Sequence, residues 1–252
     1  MRSGSRIIHC ADKWIGPLLY TLDRSLISDL TLFSGLAPAD LDHILEKARP
    51  LRVAQADLVF EQDQDAHAFF LLLDGHVRVV KTTPDGQQVI VRYVSAGQLI
   101  GIAKALGRST YPASAVAAVD CVVLAWPNEA WSDLSARFPS FAANTYKAVS
   151  ARMEDAHDRV VELATAQVDQ RVAHALLRLA KQTGQKTEHG LQIGFPISRQ
   201  DIAEMIGTTL HTVSRLLTAW EHLGLVKSTR KRVTVVDSDG LLKLAAGRSG
   251  QD

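Results

Sequence analysis

The period of the apolar positions changes along the chain. Residues 1–30 have mixed character and weak periodicity, which reads as an N-terminal extension with some helix. Pro38–Ala48 carries helical spacing. Strand-like runs follow at Leu58–Phe60, Phe69–Leu73, Val77–Lys81, Val89–Val94 and Cys121–Trp126. Turn residues punctuate them: Asp74-Gly75, Pro84-Asp85-Gly86 and Gly97. Short strands at this spacing predict a small antiparallel barrel or sandwich.

From Pro139 the period becomes helical. Tyr146, Val149, Met153, Ala156, Val160 and Leu163 recur at intervals alternating between 3 and 4 residues. Lys147, Arg152, Glu154, Asp155, Asp158 and Arg159 occupy the other faces. A stripe this narrow is the heptad seam of one helix against one partner, so it predicts dimerisation through this helix. A second helix is expected over Asp169–Gln182, with Asp169 as N-cap and Gly184 beyond its end.

Composition excludes several classes. With 46% hydrophobic and 22% charged residues, the 252-residue chain is that of an ordinary globular protein. It has no run of about 18 apolar residues, so no membrane span is expected. Arg2, Arg6, Asp12 and Lys13 around Ile7 and Ile8 fit neither a secretory signal nor a transit peptide, which makes the cytoplasm the expected location. Only two cysteines are present, Cys10 and Cys121, which disfavours a disulfide scaffold and an all-cysteine iron–sulfur cluster, since the latter needs about four thiolates. The net charge of +1 is unevenly spread. Residues 1–165 hold 16 Lys/Arg against 19 Asp/Glu, a net of −3, and residues 166–252 hold 12 against 8, a net of +4. A basic C-terminal third directs the search for nucleic-acid contacts there.

The stretch Ile197–Arg215 carries that chemistry. Ser198 suits the N-cap of a short helix with Ile202, Ala203 and Ile206 inward, and small Ala203 permits a close helix crossing. Gly207 supplies the left-handed turn. Thr209 suits the cap of a second helix with Val213, Leu216, Leu217 and Trp220 inward, closed by Gly224. Two helices joined this way make a helix-turn-helix. The second helix would enter the major groove of double-stranded DNA with Leu210, His211, Ser214 and Arg215 outward. Arg215 presents a fork that matches guanine O6 and N7, and His211 and Ser214 suit bases or phosphates. Thr208, Thr209 and Thr212 at the helix start, and Arg199 on the first helix, suit phosphate. After Gly224, residues Leu225–Val236 read as a hairpin with a basic tip, where Lys227, Arg230, Lys231 and Arg232 would grip the DNA backbone.

In order and spacing, residues 30–245 resemble the Crp–Fnr superfamily of transcription regulators. The resemblance implies an α+β architecture: extension 1–30, antiparallel β-roll sensor 31–138 like a cyclic-nucleotide-binding domain, dimerisation helix 139–167, and winged helix-turn-helix domain 168–252. It implies a homodimer on a pseudo-palindromic site, with RNA polymerase as a further partner. Arg215 matches the arginine that reads a G·C pair, whereas His211 stands where the family usually has glutamate. The wording Thr-Leu-His-Thr-Val-Ser-Arg looks most like the NnrR-type and Dnr-type branch, which responds to nitric oxide and controls denitrification.

In relatives that bind cyclic nucleotides, a glutamate holds the ribose and an Arg-Ser or Arg-Thr pair holds the phosphate. Counting from Gly97-Gln98-Leu99-Ile100-Gly101-Ile102, those positions fall on Ile102, Pro112 and Ala113, which cannot do so; this disfavours cAMP. Lys104 and Arg108 nearby read as solvated. Haem, thiol oxidation or no ligand remain. Haem iron takes His or Cys, so His9, His67 and His76 are axial candidates, followed by Cys10 and His43. Of the thiols, Cys121 in an apolar strand reads as inert packing and Cys10 as the more reactive. The chain has no nucleophile elbow, phosphate-cradling Gly-rich loop or HExxH, so no enzyme is expected.

Overall fold

The structure, a computed structural model, describes residues 22–247. His9 and Cys10 lie outside the described residues. The chain forms two compact units, one ending at Glu154 within a long helix and the other running from Asp155, with Gln88–Ile90 grouped with the second.

In the first unit, helix α1 (Pro38–Glu46) precedes eight strands: β1 (Arg49–Val53), β2 (Leu58–Phe60), β3 (Ala68–Asp74), β4 (His76–Thr82), β5 (Gln88–Ser95), β6 (Leu99–Ile100), β7 (Ser114–Ala117) and β8 (Cys121–Pro127). Two helices follow, α2 (Ala130–Arg137) and α3 (Pro139–Thr165). The strands make two sheets, ordered β1-β8-β3-β6 and β2-β7-β4-β5.

The strand period of two explains how one strand serves two cores. On β3, Phe69 and Leu71 join Leu124 and Trp126 of β8 in a core completed by α1, Trp131 and Phe141. The alternate residues Phe70 and Leu72 join Val123 and Ala125 in a second core with Phe60 and Tyr111. Both faces of β3 and β8 are covered, so these strands read as continuous apolar runs rather than alternating ones. Each such fully buried side chain contributes about 1.5–3 kcal/mol by removal from water.

The sequence pattern misses β1, β6, β7 and α2. β1 reads Arg-Pro-Leu-Arg-Val and lies at a sheet edge, where proline and charge are tolerated. β6 has two residues, and β7 is mostly alanine and serine. Helix α1 ends at Glu46 rather than Ala48 because β1 starts at Arg49. The core also begins before residue 31, since Ile27 is fully buried in it.

In the second unit, α4 (Val168–Thr183) is followed by β9 (Gln185–Thr187), β10 (Gly190–Gln192), α5 (Arg199–Ile206), α6 (Leu210–His222), β11 (Val226–Thr229), β12 (Arg232–Val235) and α7 (Ser238–Ala245). The strands form one sheet in the order β11-β12-β10-β9. Asp169 is not the cap of α4: the helix starts one residue earlier, Gln167 caps it, and the Gln170 side chain accepts from the Gln167 amide at 2.7 Å. Asp169 instead sits in the first turn, where a carboxylate faces the positive end of the helix dipole. Gly184 ends α4 with φ −65°, so extended backbone rather than a left-handed turn stops it.

Candidate nucleic-acid interface

The helix-turn-helix forms where its local chemistry dictates. Ser198 caps α5, its Oγ accepting from the Asp201 amide at 3.1 Å, while the Asp201 carboxylate accepts from the Ser198 amide at 2.7 Å. This reciprocal box satisfies two donors that helix geometry leaves unpaired. Ile202, Ala203 and Ile206 are buried beneath it. Gly207 takes φ +68°, ψ +50°, which ends α5 and turns the chain. Thr209 Oγ1 then accepts from the Thr212 amide at 3.2 Å and starts α6.

α6 buries Val213, Leu217 and Trp220, while Leu216 is half-buried. Its other face carries the predicted readers. Leu210, His211 and Arg215 are exposed, Leu210 by 47%, and Ser214 is half-exposed. His211 and Arg215 are one turn apart, as are Leu210 and Ser214, so the four share one face. Thr209 is exposed, and Thr208 and Thr212 are half-exposed. Thr209 and Thr212 also bond each other through their hydroxyls at 2.9 Å.

β11 and β12 pair antiparallel from Val226↔Val235 to Thr229↔Arg232. Arg230 and Lys231 therefore form the tip, and Lys227, Arg230, Lys231 and Arg232 are all exposed. Arg199 is placed differently from its neighbours in function: half-buried at the start of α5, it donates from Nη2 to Ser228 Oγ at 3.1 Å. Ser228 in turn donates from its amide and its hydroxyl to Glu221 Oε1, at 2.7 and 2.6 Å. Residue patterning does not single out Glu221 or Ser228, because their partner lies on another element.

On α3, only Phe141 and Thr145 are buried. Of the seam, Tyr146 is 49%, Met153 68%, Val160 63% and Leu163 53% exposed, and Ala156 is exposed as well. Val149 is partly spent on the first-unit core, and Tyr146 meets Trp131 edge-on at 6.3 Å between ring centroids. Val161, off the seam, is also exposed. Arg152, one residue before Met153, is half-buried and donates to the Leu99 carbonyl at 2.8 Å; burial lowers its pKa.

The interior of the first unit is closely packed at several of the positions singled out in the sequence. Ile102 and Ala113 are buried and Pro112 is exposed. Lys104 and Arg108 are exposed to solvent, with only Lys104–Leu106 forming a single helical turn. Beside Gly101 the space is filled by rings: a Cβ there would lie 3.2 Å from Phe60, Phe70 and Tyr111. Phe60 stacks on Tyr111 at 4.1 Å, and the Tyr111 hydroxyl donates to the Ala68 carbonyl at 2.7 Å.

The described axial-ligand candidates stand apart from one another. His67 is exposed before β3 and His76 is half-buried after it. The seven residues of β3 lie between them, a span of roughly 20 Å or more at strand rise. His43 has both ring nitrogens engaged, Nδ1 with Glu46 at 3.2 Å and Nε2 with Arg137 at 3.0 Å. Among the described residues no group of three or more His, Cys, Asp or Glu could hold a metal ion. Burial pushes the Cys121 thiol up, and its Sγ is engaged with the His76 and Val119 carbonyls.

Comparison with known proteins defines the class. The Cyclic nucleotide-binding domain family matches residues 50–138, and the Crp-like helix-turn-helix domain family matches residues 170–244. The chain is 25% identical over 247 residues to the Fumarate and nitrate reduction regulatory protein of Escherichia coli (strain K12), covering 97% of this chain and 93% of that one. It is 26% identical over 240 residues to the Transcriptional activator protein anr of Pseudomonas aeruginosa, covering 95% and 93%. In fold it is similar to FixK2 of Bradyrhizobium japonicum, with TM-score 0.70 and 21% identity over 78% of this chain and 96% of that one. A sensor-type β domain followed by a Crp-like helix-turn-helix makes this a DNA-binding transcription regulator, a class of regulators rather than enzymes. Its two matched domains, in this order, are those of a Crp/Fnr-type regulator.

Proposed function

We propose that the chain binds a pseudo-palindromic DNA site as a homodimer, with α3 as the dimer helix and α6 in the major groove. The organisation is a β-roll sensor that takes in Ile27 and runs to residue 138, dimer helix 139–167 and DNA-binding domain 168–252. The observation that carries the groove assignment is the shared exposed face of Leu210, His211, Ser214 and Arg215 on a capped helix beside a basic wing. Arg215 reads a guanine, His211 and Ser214 contact bases or phosphates, and Thr208, Thr209, Thr212, Lys227, Arg230, Lys231 and Arg232 hold phosphates. Apolar side chains exposed along one stripe of α3 support the dimer. The cytoplasm is the location, and RNA polymerase is the further partner if the protein activates. Among the described residues no helix is long and apolar enough to cross a membrane.

For the signal, we assign nitric oxide or a related redox cue, supported by the wording of α6 and by relatives named for fumarate and nitrate reduction. A thiol is the receiver we set beside haem, and of the two cysteines it is Cys10 rather than Cys121, whose burial pushes its thiol up. A second reading is a regulator with no effector, favoured by the ring packing that fills the roll beside Gly101.

The test is DNA binding by the purified chain as salt is raised, with Arg215→Ala alongside. Wild type should lose affinity steeply with salt. Arg215→Ala should lose about 1–3 kcal/mol per half-site and relax specificity at one base pair. Equal binding of the operator by Arg215→Ala would remove α6 from the groove.

A further inference from the structure

Three elements of the second unit meet at one hydroxyl. Ser228 lies on β11, Glu221 one residue before the end of α6, and Arg199 at the first position of α5. Ser228 gives both its donors to Glu221 Oε1, at 2.7 Å from the amide and 2.6 Å from Oγ. The same Oγ accepts from Arg199 Nη2 at 3.1 Å. At the tip, the Ile197 amide donates to the Lys231 carbonyl at 2.9 Å, so the wing is held at its tip as well as along β11.

Glu221 is out of place on electrostatic grounds. It carries a negative charge into the domain whose exposed hairpin holds Lys227, Arg230, Lys231 and Arg232. A carboxylate near a phosphate-binding surface opposes binding. Its bonds show what it does instead. The sheet holds the hairpin through β12, which pairs with β10, whereas β11 is the edge strand, with no strand on its outer side among the described residues. Glu221 anchors it to the helix that reads the bases, through two short charge-assisted bonds.

We propose that the Glu221–Ser228–Arg199 bridge is a latch that sets the wing against α6, making Glu221 and Ser228 positioning residues for the wing's phosphate contacts. It rests on the DNA-binding reading above. Arg199 is the latch's third member. A guanidinium has five donors and this bond uses one, so Arg199 keeps others for a phosphate oxygen.

The sign of one substitution tests the latch. Removing a carboxylate from a DNA-binding domain tightens binding if charge alone matters. The latch requires the opposite: Glu221→Ala should bind specific and random duplex about five- to tenfold more weakly, with a shallower dependence of log K on log salt. Preference among half-site variants should not change, because the base-facing residues of α6, Leu210, His211, Ser214 and Arg215, are untouched. Ser228→Ala should behave like Glu221→Ala, and Ser228→Thr, which keeps the hydroxyl, should retain wild-type binding. The double variant Arg199→Ala/Ser228→Ala should lose less than the sum of the single losses, since one bridge is being cut twice. Unfolding midpoints of the full chain, measured in parallel, show that the variants are folded; if Glu221→Ala is not, Ser228→Ala against Ser228→Thr makes the same comparison. Tighter or unchanged binding by folded Glu221→Ala, or additive losses in the cycle, overturns the latch. Wild type that binds no DNA in a salt-dependent way overturns the DNA-binding reading itself and the latch with it.

Discussion

At the scale of single residues, two glycines in left-handed conformations differ in what surrounds them. At Gly207, φ +68°, an added Cβ would meet nothing within 4 Å. Gly207→Ala should therefore cost only the backbone strain, about 1–2 kcal/mol in chemical denaturation. At Gly75, φ +91°, the Cβ would lie 2.6 Å from the Asp120 carbonyl oxygen and 2.7 Å from Cys121 Sγ. Gly75→Ala should add overpacking to strain and cost about 3 kcal/mol or more. Similar losses at the two sites would mean that the β3–β4 turn yields where the close contacts say it cannot. Nearby, burial pushes the His76 pKa below its ordinary 6.5, with Asp74 opposing the shift. As pH falls below about 6.5 the unfolded chain binds a proton that the folded chain resists. The stability His76 contributes is thus complete above that pH and is lost on acidification towards its folded value. The melting temperature should fall more from pH 7.5 to 5.5 in wild type than in His76→Gln; parallel curves would show that His76 does not titrate across this range.

At the scale of elements, α3 carries the heaviest expectation. Its stripe is apolar enough to seek a partner, and Met153 and Val160 are its most exposed large members. In a two-fold symmetric pair each side chain faces its own copy or a close neighbour, so a charge introduced there is met by the same charge. Met153→Glu/Val160→Glu should shift the protein to monomer in sedimentation equilibrium. It should also weaken operator binding by at least about tenfold, because the two half-sites would then be bound independently. An unchanged dimer would move the interface off this stripe. The stripe's period was readable in advance, but its division was not: Val149 is drawn into the first-unit core. The 3,4 spacing specifies a face of a helix, and which neighbour covers part of that face depends on contacts distant in sequence.

At the scale of the whole molecule, what reaches the regulator from outside is set by what its sensor unit can hold. A ligand present at 100 times its Kd would add about 2.7 kcal/mol to stability. With Ile102 and Ala113 buried, Pro112 in the phosphate-pair position and rings packed beside Gly101, saturating cAMP should leave the melting temperature unchanged. A clear upward shift would show that the roll binds the nucleotide by other groups. Haem added anaerobically, followed by nitric oxide, should give no stoichiometric Soret band. If DNA binding nevertheless responds to nitric oxide, a thiol receives the signal; if it does not, nitric oxide is not the signal. A stoichiometric band would assign haem as the receiver and start the search for its axial ligand at His9, His67 and His76.

The helix-turn-helix was almost wholly legible in the sequence, because its determinants are local: Ser198 and Thr209 as caps, Gly207 in the turn, and inward Ile202, Val213 and Trp220 at helical spacing. The strongest strands were legible too, since a run such as Phe69–Leu73 must be buried wherever it pairs. Edge strand β1 and the small-residue strand β7 were not, because pairing with β8, β2 and β4 makes them strands despite weak preference of their own. The same holds at the candidate site. Arg215 is recognisable from its place on a helix, whereas Glu221, Ser228 and Arg199 gain their role only when folding brings three elements to one hydroxyl. Periodicity, caps and turns act over a few residues and are therefore written in the sequence; strand partners, core membership and shared hydrogen bonds are contacts across the chain, and only the tertiary structure decides them.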